Sequence, residues 1–221
     1  MPKSVVLFSG GVESTVLAYQ LQSQGQDLHL LAIDYGQRHR NEHAFALGTA
    51  ERLDASFDEL DVRGIGALLP GNSLTDQRVD VTDYEAAPLG VAHVVPNRNA
   101  VLLAIAVARA VVVQADRVVI GSIAGDARTG DCSKDFIAAF NAMERVVTAD
   151  FPEQIAVVAP LIGMEKFEVI RLGESLGIPW DETWSCFRGG DAQCGTCATC
   201  YDRRSAFRKA GVDDPTLYLK D

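Results

Sequence analysis

An apolar tetrad, Val5-Val6-Leu7-Phe8, runs straight into Ser9-Gly10-Gly11-Val12-Glu13-Ser14, and good helix formers continue from Thr15 to Gln24 before Gly25. A short unbroken apolar run suits a strand buried on both faces, as parallel strands are. Ser14 stands where a helix N-cap belongs and Gly25 where a helix ends. A strand that passes through two glycines into a helix is a βα unit, and it commits the chain to a parallel sheet. The glycines also let the backbone approach a ligand closely, with Ser9, Ser14 and the first helical N–H groups as donors. Such a turn suits a phosphate or pyrophosphate, and it is equally the shape of a ligand-free tight turn with a serine cap. The lysine of the G-x-x-x-x-G-K-[ST] loop is missing.

The alternation continues. Residues 28–33 predict a second strand with Asp34 and Tyr35 at its carboxyl end, followed by a helix over 41–53 and a strand over 56–60. Residues 64–95 break the rhythm with Gly64, Gly66, Pro70, Gly71, Pro88 and Gly90; a stretch this long reads as a functional loop or lid. Regular structure resumes with helices over 100–113, 136–148 and 166–176 and strands over 117–120 and 155–158. The expected fold is α/β: an open parallel Rossmann-like sheet covered by helices on both faces, with a small C-terminal helical metal-binding region. Two units are expected, 1–180 with its insertion at 64–95, and 181–221.

At 221 residues with a formal charge of −10, the chain lacks the clustered Lys and Arg that phosphate backbones demand, so no direct nucleic-acid contact is expected. The longest apolar stretch, over 100–113, is interrupted by Arg109 and is too short for a membrane span. Lys3 is followed by only five apolar or small residues before the Ser9-Gly10-Gly11 turn, which is no signal peptide. The expected address is the cytoplasm, and the expected ligands are small molecules.

A reducing compartment favours metal binding over disulfides for Cys186, Cys194, Cys197 and Cys200, which fall within fifteen residues. A C-x-x-C-x-x-C run with a thiol just upstream can close a tetrahedral all-thiolate shell around a structural zinc. Iron–sulfur proteins use similar runs, and that alternative stays open beside zinc.

Ligands of open α/β sheets collect beyond the carboxyl ends of the strands. There the chain puts Asp34-Tyr35-Gly36-Gln37-Arg38-His39, Gly121-Ser122, and Asn97-Arg98-Asn99 at the head of a long helix. Arg38 and Arg98 in such positions call for anionic partners, either a bound phosphate or carboxylate or a surface ion pair. The Ser-Gly-Gly-x-[Asp/Glu]-Ser turn resembles the pyrophosphate loop of the N-type ATP pyrophosphatases. The fuller series F-S-G-G-V-E-S-T, D-Y-G-Q-R-H, V-P-N-R-N, P-L-I-G-M-E-K-F-E-V-I-R-L and T-W-S-C…C-G-T-C-A-T-C resembles the 7-cyano-7-deazaguanine synthase family, in order from Val5 to about Ala210.

The resemblance implies a ligase that turns 7-carboxy-7-deazaguanine and ammonia into a nitrile through adenylated acid and amide, with ATP and Mg²⁺ as co-substrate and queuosine-type deazapurines as its products. It implies that Ser9, Gly10, Gly11 and Ser14 cradle the pyrophosphate, with Phe8, Val12, Glu13, Thr15 and Gln37 also at the nucleotide. Lys166 would approach the same charge, although alone it reads as a solvated helix residue. Arg38 and Arg98 would contact phosphate or carboxylate, Asp131 would read the deazapurine, and Ser14, Arg38, Arg98, Asp131 and Lys166 would form the catalytic set. The four cysteines would hold one zinc per chain, in a homodimer.

Two departures stand out. Glu13 occupies a position where the family usually has Asp, one methylene shorter. Thr129-Gly130 precede Asp131-Cys132 where Tyr-Pro is common, in a segment expected to border the substrate pocket. Cys132 by itself reads as a small buried hydrophobe. Two other functions fit the same motifs: a related adenylating enzyme with another acceptor or an amide product, and a non-catalytic nucleotide-binding partner.

Overall fold

The computed structural model describes residues 1–39, 42–85, 93–151 and 154–220. Strands β1 (Lys3–Leu7), β2 (Asp27–Asp34), β3 (Ser56–Asp61), β4 (Arg117–Ile120) and β5 (Ala156–Val158) form one sheet in the order β3-β2-β1-β4-β5. Every pair is parallel, with Val6 level with Leu30 on one side and Val119 on the other. The order runs outward from β1 in both directions, so the chain's topological switch lies between β1 and β4, where α/β sheets open a ligand crevice.

Among the described residues seven α-helices accompany it: α1 (Val12–Ser23), α2 (Glu42–Arg52), α3 (Arg63–Ala67), α4 (Arg98–Val112), α5 (Lys134–Val147), α6 (Lys166–Ser175) and α7 (Ala198–Ala210). Residues alternate along the strands between two cores. Val6, Leu30 and Val119 face Leu17, Ala50, Ile170 and Phe207 from α1, α2, α6 and α7. Val5, Leu31, Val118 and Val157 face Leu103, Val107 and Phe140 from α4 and α5. Both faces are covered, which is why these strands read as continuous apolar runs. No helix among the described residues is long and apolar enough to cross a membrane.

One boundary differs from expectation in a way that matters. The N-cap of α1 is Gly11, not Ser14, and its extended backbone (φ −78°, ψ 169°) starts the helix at Val12. Ser14 lies inside the first turn and donates its hydroxyl to the Gly11 carbonyl at 3.2 Å. Serine within a helix commonly returns its hydroxyl to a carbonyl one turn back, and that local bond won over the cap.

The irregular stretch begins with α3 and then turns inward. Ser73 and Leu74 are fully buried, Leu74 within the core beneath α4, and the Arg38 N–H donates to the Leu74 carbonyl at 2.7 Å. Residues 86–92 of the expected lid lie outside the described residues. Farther on, Val81 packs with the four cysteines, Asp83 bridges to Cys197, and the Tyr84 N–H donates to the Thr196 carbonyl at 2.9 Å.

Arg203 of α7 organises the C-terminal region from inside. Its guanidinium is fully buried and donates to the Trp180 carbonyl at 2.9 Å, the Thr183 hydroxyl at 2.7 Å and the Asp214 carboxylate at 3.1 Å. A buried charge is tolerable when paired and hydrogen-bonded in this way.

Candidate active site and metal centre

Gly10 shapes the turn between β1 and α1. Its φ is +81°, and a Cβ there would meet the Glu42 carbonyl at 2.5 Å and the Ala46 nitrogen at 3.0 Å. The glycine is therefore required both by conformation and by the close approach of α2. Ser9 Oγ accepts from the Gly11 N–H at 3.2 Å and lies 3.3 Å from Ser14 Oγ. The turn thus presents two hydroxyls beside the unpaired N–H groups of the first turn of α1, a cradle for an anion. Behind it, the Trp184 N–H donates to the Gly10 carbonyl at 3.0 Å.

The flanking charges come from separate elements. Lys166 opens α6 and is nearly buried; its Nζ lies 3.1 Å from Glu13 Oε1 and 2.9 Å from Asp202 Oδ2. Burial works against its charge, yet the carboxylates of Glu13 and Asp202 raise its pKa above the ordinary lysine value. Arg98 opens α4, stands 6.0 Å from the Tyr35 ring centroid, and donates from Nε to Asn99 Oδ1 at 3.1 Å. Burial opposes its charge too, and Tyr35, Cys132 and Asp131 together more than offset it. A cavity of about 260 Å³, lined in part by Tyr35, Leu68, Leu69, Val95, Pro96 and Arg98, opens beside this arginine.

Three residues that the sequence put in the site have other commitments here. Arg38 donates from Nη2 to the Asp76 carbonyl at 3.0 Å and the Val79 carbonyl at 2.7 Å, clamping the inward-turned stretch. Gln37 is buried, and its amide oxygen accepts from the Tyr35 N–H at 2.9 Å. Asp131 accepts the Asn99 N–H at 3.0 Å and so sits at the first turn of α4. Cys132 is buried behind it, receives the Asn99 amide at 3.1 Å, and has its thiol pushed up to about 11, chiefly by burial. It is an apolar filler, as its sequence context suggested.

Two carboxylates at the site escaped sequence reasoning. Asp126 lies in a single 3₁₀ turn, Ala124–Arg128, just past β4, and burial together with the Glu13 charge pushes its pKa up to about 6. Glu42, at the head of α2, is raised well above its ordinary value by burial, which Arg98 opposes. The only advance signal for Asp126 was its place a few residues past a strand end, a signal it shared with Asp131. Glu42 had none.

The four cysteines form a second, separate centre. Their sulfurs are all buried and lie within 4.8 Å of one another, with Cys194 and Cys200 Sγ 3.9 Å apart. A tetrahedral shell with metal–sulfur bonds of about 2.3 Å has edges of about 3.8 Å, so the set has the size of a single-ion site. The Cys197 and Thr196 N–H groups point at Cys194 Sγ from 3.2 and 3.4 Å, as donors to a thiolate do. The cluster can hold a metal ion.

With the geometry in hand, comparison with known proteins is decisive. Residues 3–211 match the family of the queuosine biosynthesis protein QueC. The chain belongs to this family. It is 42% identical to the 7-cyano-7-deazaguanine synthase of Rhizobium johnstonii over 218 residues, 98% of this chain and 92% of the relative. It is 41% identical to the enzyme of the same name from Brucella ovis, covering 98% and 93%. Among solved structures, the NMN synthetase of Francisella tularensis shares the fold: 17% identity, TM-score 0.53, 95% of this chain and 77% of that one. The QueC-family chain described here is an enzyme of its relatives' type.

Proposed function

We propose that the protein converts 7-carboxy-7-deazaguanine and ammonia into 7-cyano-7-deazaguanine at the expense of ATP. The observation that carries this reading is the Ser9–Ser14 turn at the topological switch, with Lys166 of α6 paired to Glu13 beside it and Arg98 heading α4, in a chain whose full-length relatives bear that enzyme's name. A carboxylate is a poor electrophile. Joined to AMP it gains a good leaving group, and the turn's hydroxyls and helical N–H groups suit the pyrophosphate expelled when that bond forms. Lys166 neutralises the Glu13 carboxylate at the same place, so the triphosphate meets one fewer negative charge. Ammonia then displaces AMP to give the amide, and a second adenylation, on the amide oxygen, leads to the nitrile. The rest is positioning. The cavity beside Tyr35 and Arg98 is of a size to take a flat bicyclic ring with its carboxylate toward the guanidinium.

Cys186, Cys194, Cys197 and Cys200 would hold one zinc; a closed thiolate shell supplies no open coordination position, and its role is structural. Magnesium would arrive with the nucleotide. The acidic charge supports a small-molecule enzyme without nucleic-acid contact, acting in the cytoplasm as a homodimer.

Incubation with 7-carboxy-7-deazaguanine, ATP and ammonium, followed by mass spectrometry, tests the reading. The expected products are the nitrile, AMP and pyrophosphate. ADP and phosphate as the only nucleotide products would overturn the adenylation chemistry.

A further inference from the structure

We propose that Asp126 is the carboxylate that takes the proton given up by the incoming nitrogen when the amide forms. The inference rests on the function proposed above and adds a residue and a role to it. Amide formation has a need that the pyrophosphate turn does not meet. Ammonia attacks the acyl carbon, a C–N bond forms, the C–O bond to AMP breaks, and AMP leaves with the electron pair. The nitrogen must then lose one proton, and a base beside the reacting carbon speeds that step.

Position selects Asp126. The end of β4 is pressed onto the head of α1: a Cβ at Gly121 would lie 3.3 Å from the Ser14 nitrogen. The 3₁₀ turn that carries Asp126 follows at once, on the β4 side of the switch. The Ala124 N–H donates to the Met164 carbonyl at 2.9 Å, which ties this turn to the stretch that delivers Lys166. The charged and titratable groups that act on Asp126 come from every element around it: Glu13 on α1, Lys166 on α6, Arg98 on α4, and Cys132 in the next turn. Among the described residues its carboxylate accepts one hydrogen bond, at Oδ2 from the Ile123 N–H at 3.0 Å.

The other carboxylates nearby have different duties. Asp131 is occupied by the first turn of α4, and Glu13 by Lys166. Glu42 lies against His39, 3.6 Å from its Nε2. Asp126 is left, half-buried and with its proton affinity moved toward neutrality, the range in which a general base works best. The same carboxylate serves the second half of the reaction, in which the adenylated amide loses a proton from nitrogen and AMP from carbon.

The test separates adenylation from nitrogen chemistry. Exchange of labelled pyrophosphate into ATP, driven by 7-carboxy-7-deazaguanine without ammonium, reports adenylation and folding together. Asp126→Asn should keep this exchange within a few-fold while amide formation falls by roughly 10²–10⁴-fold. At a fixed concentration of free ammonia, wild-type amide formation should rise with pH through an apparent value of about 6, and Asp126→Glu should keep a rising limb that Asp126→Asn lacks. Unchanged amide formation in Asp126→Asn, or exchange lost together with it, overturns the assignment. No acid-dependent exchange in the wild type would refute the adenylation reading itself and take this proposal with it.

Discussion

The β1–α1 turn and the cysteine region answer opposite demands. Around Ser9 and Ser14 the contacts are few and long, 3.2 to 3.4 Å, and the helix that follows leaves its first donors open. In the cysteine region nearly every polar group is spent internally. Arg203 ties Trp180, Thr183 and Asp214 together, and Arg188 donates to the Val81 carbonyl at 2.9 Å and to Asp83 at 2.7 Å. Gln193 reaches the Ser185 N–H at 3.1 Å. One region keeps donors in reserve for a ligand; the other uses them to hold itself and its neighbours still. The two meet at Gly10 and Trp184, so a loosely bonded turn gains its rigidity from a densely bonded one.

The hardest blow to this division would fall on the four cysteines, which can hold a metal ion. Cys197→Ser should release the ion and loosen both the 81–84 stretch and Trp184, because metal affinity in such sites is folding free energy, on the order of 10 kcal/mol. Elemental analysis and proteolysis near Arg78 check this, and a Cys197→Ser protein that stays compact without metal would contradict it. Next in size is Arg203→Met. It removes the buried guanidinium that pairs with Asp214 and bonds Trp180 and Thr183, and should cost about 3–5 kcal/mol, read in urea unfolding, with the adenylation rate constant little changed at low temperature.

Changes on the turn side should invert that pattern. Lys166→Met should lower the adenylation rate by about 10²–10³-fold with a far smaller change in stability. If melting shifts as much as it does for Arg203→Met, the contrast between the regions is wrong.

A smaller effect follows from Asp126. Its folded pKa, about 6, exceeds the ordinary 3.8, so between those values the folded state binds more protons than the unfolded one. Stability therefore falls as pH rises from 3.8 to 6 and stays lower above. Asp126→Asn should stabilise the protein by on the order of 1–2 kcal/mol at pH 8 and by less at pH 5, a trade common where function strains a site. Equal melting shifts at both pH values would disprove it. Smallest is Glu13→Asp, expected to keep activity within a few-fold, whereas Glu13→Gln should do worse by stripping Lys166 of its carboxylate.

Much of this was legible in the sequence because the signals were local. Apolar runs marked β1, β2, β4 and β5, and the spacing of four cysteines marked the cluster that can hold a metal ion. Arg203 was not legible: in Tyr201-Asp202-Arg203-Arg204 it reads as one of two solvated helix charges, and only the return of the tail through Asp214 buries it. The clamp made by Arg38 was not legible for the same reason. Its partners are carbonyls some forty residues on, and no pattern in the chain announces that residues 72–79 fold back under it. Asp126 depended on the way β4 lies against α1, which is a matter of register between distant strands.

The bond from Trp184 to Gly10 and the Lys166 pairings with Glu13 and Asp202 also set an order in time. Synthesis runs from the N-terminus, so the turn leaves the ribosome early, while its brace and one partner of its lysine are the work of the last fifth of the chain. Until those residues emerge, Gly10 has no donor behind it and Lys166 lacks its second carboxylate. A nascent chain therefore carries its phosphate cradle unbraced, and a truncated product would expose that incomplete site to quality control instead of to ATP.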